Sequence, residues 1–205
     1  MALVVVGGHS RNVGKTSLVC GLISALQELD WTAVKITQYG NEVCTQHGGG
    51  CGCEPDPGQP FALSEEYEPN QTDSGRFLAS GADRSFWLRV PVGGLPGAAK
   101  SVRKILAQSD NVMIESNSVM ELVQPEVFLM LLDFSCQDFK ASSLRFMDRA
   151  DAFVVIDNGI NGSMWEAVAR GVWDHKPRFM VTPPNYVTAE LTGFVRSKLS
   201  AASPP

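Results

Sequence analysis

Residues 3–17 read LVVVGGHSRNVGKTS, an apolar run that passes through paired glycines into a Gly-Lys-Thr triplet. This is the tightest constraint on the fold: a buried strand must end at the opening of a helix, joined by a loop that turns its backbone amides inward. Leu18, Val19, Leu22, Ile23 and Leu26 recur at helical spacing after the triplet, so the loop ends at a helix N-terminus. There the unpaired amides and the positive end of the helix dipole suit an anion, Lys15 can reach outer phosphates, and the Thr16 hydroxyl can ligate Mg²⁺. The common spacing GxxxxGK[S/T] would place glycine at position 9, where His9 stands; counted from Gly8 the loop is one residue longer, GxxxxxGKT. The residues expected to line a nucleotide are Gly8, His9, Ser10, Arg11, Asn12, Val13, Gly14, Lys15, Thr16 and Ser17.

The rest of the chain alternates strand and helix. Trp31–Thr37 reads as a second strand, and 73–80 as a short helix leading to the strand Ser85–Val90. A helix over 96–107 precedes the strand Asn111–Glu115. The runs VFLMLL (127–132) and AFVVI (152–156) are continuously apolar, as strands buried on both faces are. A crossover helix fits 141–149, Ser163 with Glu166 resembles a capping box for a helix to about 170, and Arg178–Thr182 then precedes a last helix around 187–198. The expectation is an α/β fold: a doubly wound, mostly parallel sheet flanked by helices in three layers, forming one domain over 1–199 with a frayed tail at 200–205. An irregular stretch over about 40–72 is too long for a routine connection.

In such sheets ligands sit at the carboxyl ends of strands. Lys35, inside VKITQ, is costly to bury without an anion to pair it. Glu115 closes NVMIE and can hold Mg²⁺ together with Thr16. Asp73 is placed as a helix N-cap, and Asn158, after AFVVI, is the candidate for reading a base, with Thr182–Asn185 as the alternative. Cys44, His47, Cys51 and Cys53 offer three thiolates and an imidazole, a donor set suited to tetrahedral Zn²⁺, whereas Cys20 and Cys136 read as core or near-core residues.

A formal charge of −5 and the lack of any basic run argue against nucleic-acid and membrane partners. The opening residues carry no positively charged leader, and five cysteines, an odd number, do not make a disulfide framework, so a reduced, cytoplasmic setting is expected.

The segments VVVGGHSRNVGKTSL, VKITQYG, TDSGRFLASGADRSFWLR and MIES resemble the molybdopterin-guanine dinucleotide biosynthesis protein B family over roughly the first 120 residues. The resemblance implies a homodimeric GTP-binding protein with slow hydrolysis, catalytic roles for Lys15, Lys35 and Glu115, and as partners a molybdopterin cofactor or its guanylyltransferase. Ser116 stands where that family has glycine after the acidic residue, and the Cys/His segment stands where it often has a His-rich stretch. The longer loop is also similar to that of dethiobiotin synthetases and cobyrinic acid amidases, which would imply an ATP-dependent carboxylate-activating ligase. Nickel-insertion GTPases of the same broad class offer a third comparison, with Cys44, His47, Cys51 and Cys53 carrying the ion. No NKxD signature is present, so the choice of GTP over ATP comes from the family resemblance alone.

Overall fold

The computed structural model describes residues 2–40, 58–160, 165, 172 and 175–202. Eight strands form one sheet in the order β3-β4-β2-β5-β1-β6-β7-β8. They are β1 (Ala2–Gly8), β2 (Trp31–Tyr39), β3 (Ala62–Glu66), β4 (Arg84–Pro91), β5 (Asn111–Glu115), β6 (Val127–Leu132), β7 (Ala152–Ile156) and β8 (Arg178–Val181). Every pairing is parallel except β3 with β4. Among the described residues the α-helices are α1 (Lys15–Ala25), α2 (Asp73–Ala79), α3 (Ala99–Ala107), α4 (Ala141–Phe146) and α5 (Ala189–Ala202).

The continuous apolar runs are explained by two cores, one on each face of the sheet. Along β6, Val127, Leu129 and Leu131 join Leu18, Leu22 and Leu191 on the α1/α5 side, while Phe128, Met130 and Leu132 join Val102 and Phe146 on the α3/α4 side. β1 divides in the same way, Val4 and Val6 against Leu3 and Val5. With period 2 and both faces covered, no position in these strands is left for a polar residue.

Several boundaries differ from expectation, among them the helix expected over 96–107, which opens as a 3-10 turn over Leu95–Ala98 and is α-helical only from Ala99. The stretch 40–72 contains β3, an edge strand with sequence ALSEE whose glutamates weaken any strand signal. It pairs antiparallel to β4, and Arg84 makes two hydrogen bonds to Glu65 across that edge. The 141–149 helix is α-helical only to Phe146 and tightens to a 3-10 turn over Met147–Arg149. The last helix runs on through Ser200 and Ala201 to Ala202, where a frayed tail was expected. The Ser163/Glu166 capping box lies outside the described residues. Among the described residues no helix is long and apolar enough to cross a membrane.

Candidate functional site

β1 delivers the Gly-rich loop to the middle of the sheet, between β5 and β6. Asn117, two residues past β5, holds the start of this loop: its Oδ1 accepts from the Gly8 N–H at 2.9 Å and its Nδ2 donates to the Gly8 carbonyl at 2.8 Å. A Cβ at Gly7 would stand 2.2 Å from that Oδ1, so only glycine fits beneath the clamp. At the far end Gly14 takes φ 97°, in the left-handed region, and a Cβ there would lie 2.3 Å from the Tyr186 ring. The Leu18 N–H then donates to the Gly14 carbonyl and α1 begins. Lys15 arches back over the loop, its Nζ donating to the Ser10 carbonyl at 2.9 Å.

His9, the residue that departs from the common spacing, faces the core. Its ring is fully buried, packed against Phe139 and Trp165 with centroids 5.1 and 4.8 Å away. Nδ1 lies 3.4 Å from the Asp133 N and 3.5 Å from the Leu131 carbonyl, and Nε2 lies 3.3 Å from the Cys136 carbonyl, so both ring nitrogens face main-chain groups. Burial holds the imidazole below its ordinary pKa, which keeps it neutral. The main chain of His9 is engaged as well: its N–H donates to the Leu131 carbonyl, and its carbonyl accepts from the Lys140 N–H and the Ser143 hydroxyl. The expectation that His9 lines a nucleotide is therefore corrected. The residue rivets the loop to β6 and α4, and it has neither a ring nitrogen nor a main-chain group to spare for a ligand.

Across the loop, parallel pairing of β2 with β5 sets Lys35 beside Glu115. The Lys35 ammonium contacts Glu115 Oε1 at 2.5 Å and Asp73 Oδ2 at 2.8 Å, and lies 3.4 Å from the Thr16 hydroxyl. Thr16 Oγ1 donates to Glu115 Oε2 at 2.7 Å. Burial alone would push the Lys35 ammonium down, but the Glu115 and Asp73 carboxylates outweigh it and hold the pKa above its ordinary value. At Asp73 burial pushes the carboxyl up, and the Lys35 charge more than reverses this.

Asp73 corrects a second reading. Thr72 is the N-cap of α2, its hydroxyl accepting from the Gly75 N–H at 3.0 Å, which frees Asp73 to face Lys35. β3 fixes this geometry from outside, since Glu66 at its end accepts from the Ser74 hydroxyl at 2.8 Å and Ser85 of β4 donates to the Ser74 carbonyl at 2.7 Å.

Thr16, Asp73 and Glu115 supply hard oxygen donors around a point already held by a cation, the Lys35 ammonium. That set fits Mg²⁺, a hard cation that is usually held by one or two carboxylates and completes its octahedron with water and phosphate oxygens. Among the described residues no group of three or more His, Cys, Asp or Glu is placed to hold a metal by itself. Cys44, His47, Cys51 and Cys53 lie outside the described residues.

Beside the loop, an open groove of about 710 Å³ runs along α1 from Ser17 past Cys20 and Ser24, walled by Arg76, Pro183 and Tyr186. Arg76 donates to the Ser17 hydroxyl at 3.2 Å. Asn158 is exposed and donates its amide to Asp133 Oδ1 at 2.8 Å, at the ends of β7 and β6. The segment after β8 leads to Tyr186, whose ring lies against Gly14 of the Gly-rich loop.

No family model matches the chain, and no curated protein matches it. Among solved structures it is similar to LpxK from Aquifex aeolicus in complex with ATP, at 15% identity and a TM-score of 0.47, over 88% of this chain and 53% of that one. It is also similar to HypB from Helicobacter pylori in complex with nickel, at 14% identity and a TM-score of 0.49, over 97% of this chain and 86% of that one. The chain thus spans about half the length of the LpxK chain.

Proposed function

We propose that this protein binds a nucleoside triphosphate with Mg²⁺ and hydrolyses it slowly. The observation that carries the reading is the convergence of Lys15, Thr16, Lys35, Asp73 and Glu115 on the mouth of a Gly-rich loop that ends at a helix N-terminus. Thr16 and Glu115, with Asp73 beside them, would hold Mg²⁺, which when bound neutralises charge on the outer phosphates. Lys15 would leave the Ser10 carbonyl for the β- and γ-phosphate oxygens, its buried ammonium gaining a full counter-charge. Lys35 would give up the carboxylates as the divalent ion takes them, and turn its charge to the terminal phosphate. The amides of the loop and of the first turn of α1 would cradle the inner phosphates. Asn117 and His9 keep that cradle in shape without touching the ligand.

The resemblance over the first 120 residues extends the proposal to GTP, and to an accessory role in assembling a molybdopterin guanine dinucleotide cofactor, as a cytoplasmic dimer. Calorimetric titration with non-hydrolysable GTP and ATP analogues tests both levels, with and without Mg²⁺ and with Lys15→Ala as control. Mg²⁺-dependent binding that favours GTP and is lost in Lys15→Ala is the expected result. Preference for ATP would refute the accessory GTPase, and no binding of either analogue would refute the nucleotide site itself.

A further inference from the structure

A second lysine, Lys140, is anchored by its main chain beside the loop on the β6 side of β1, across from the β2 side that carries Lys35. β6 runs beside β1 in the register Gly8 to Leu131, and the segment that follows it, residues 133–140, folds back over the first half of the loop. Two bonds pin its return: the Ser10 hydroxyl donates to Asp138 Oδ2 at 3.2 Å, and the Lys140 N–H donates to the His9 carbonyl at 2.9 Å. Ser143 then closes the corner, its hydroxyl donating to the His9 carbonyl at 2.8 Å and its N–H to the Lys140 carbonyl at 2.9 Å. Lys140 is thereby fixed at the strand end of the loop, the end nearest Lys15's contact at Ser10 and farthest from the helix turn that takes the inner phosphates.

We propose that Lys140 reads the terminal phosphate, its ammonium contacting the γ-phosphoryl oxygens of a bound nucleoside triphosphate from the β6 side while Lys15 and Lys35 approach from the others. This rests on the nucleotide-binding reading above. Lys140 is half-buried, and among the described residues its ammonium has no ion-pair partner. Burial, together with the charges of Lys35 and Arg11, pushes this ammonium below its ordinary pKa. Glu115 and Asp138 offset this only in part, since Glu115 is paired with Lys35 and Asp138 accepts from the Ser10 hydroxyl. Converging ammonium groups held around one space repel each other until an anion enters, and a triphosphate carries its greatest charge at the terminal group. A diphosphate ends short of Lys140, so this residue distinguishes the two.

The experiment is titration of the full chain, in Mg²⁺, with a non-hydrolysable triphosphate analogue and with the matching diphosphate. It compares wild type with Lys140→Ala, Lys140→Met and Lys140→Arg, and uses Lys104→Ala on α3 as a charge control. The side chain can be removed without loss of the Lys140 N–H bond to His9, and Lys140→Met keeps the aliphatic stem, so the loop stays docked. The expected result is a tenfold or greater loss of triphosphate affinity in Lys140→Ala and Lys140→Met. Diphosphate affinity should stay within twofold, Lys140→Arg should recover most of the loss, and Lys104→Ala should change neither. Equal losses for both nucleotides, or no loss for either, would overturn the assignment. Wild-type protein that binds neither nucleotide would instead refute the reading on which it rests.

Discussion

Removing the Lys35 ammonium tests the central cluster most directly. Lys35→Ala would leave Glu115, 2% exposed, facing Asp73 with only the Thr16 hydroxyl as donor. Breaking a buried ion pair from one side costs about 3–5 kcal/mol, because the remaining charge stays buried. The contact to Asp73 adds little, since that side chain is 37% exposed and water screens it. With Thr16 still bonded to Glu115, the low end of the range applies, about 3 kcal/mol. For a chain of this size the melting midpoint should therefore fall by about 6–12 °C. Scanning calorimetry without divalent ions measures this, with two further arms. Millimolar Mg²⁺ should raise the midpoint of Lys35→Ala more than that of wild type, because the ion takes the place of the ammonium between the carboxylates. The double variant Lys35→Met with Glu115→Leu should recover much of the loss, as an apolar pair leaves no charge to bury. A fall of less than about 2 °C in Lys35→Ala, under 1 kcal/mol on the same scale, would refute the argument that this cluster is an ion pair awaiting a metal.

Three further outcomes follow from other parts of the site. Burial, and after it the Lys140 charge, holds the Lys15 ammonium down to about 7 against an ordinary 10.5, so the unfolded chain binds more protons between these values and the free protein gains stability as pH rises from 7 toward 10.5. For the same reason nucleotide binding at about pH 8.5 should take up close to one proton; calorimetry in buffers of different ionisation enthalpy measures it, and zero uptake would contradict the assignment. Asn117→Leu leaves the Gly8 N–H and carbonyl unpaired and should cost about 2–4 kcal/mol in denaturant unfolding, with weaker nucleotide binding. His9→Gly, which restores the common loop spacing, should destabilise the protein by about 2 kcal/mol or more, because the ring fills the space between Phe139 and Trp165; an unchanged midpoint would show that the ring does not hold the loop.

The layering of this fold is legible in the sequence because burial on two faces leaves a strong mark: VFLMLL and AFVVI could be little else than interior parallel strands. The edge leaves almost none. β3 is built from ALSEE, buries no face completely, and gains its place from pairing with β4 and from the Arg84 to Glu65 contact, neither of which has a local signature. Because β3 is hard to see, Asp73 is misread: with β3 absent the start of α2 is free, and an acidic residue there looks like a cap. With β3 in place Thr72 caps the helix, and Asp73 turns to Lys35.

The same distinction governs the loop. Lys15 and Thr16 can be picked out by the Gly-Lys-Thr triplet, and Lys35 and Glu115 because each stands on an apolar strand or at its end; their meeting follows from β2 and β5 lying on one side of β1. Asn117, His9 and Lys140 act through partners more than 100 residues away in the chain, so no short pattern reports them. His9 is visible as a departure but points the wrong way when read as a lengthened phosphate loop. Residue 9 is the point where the loop leaves β1 while still bonded to Leu131 of β6, and a glycine there could not fill the space under Phe139 and Trp165. The substitution that weakens the motif in sequence is the one that fixes the loop, and with it Lys140, in space.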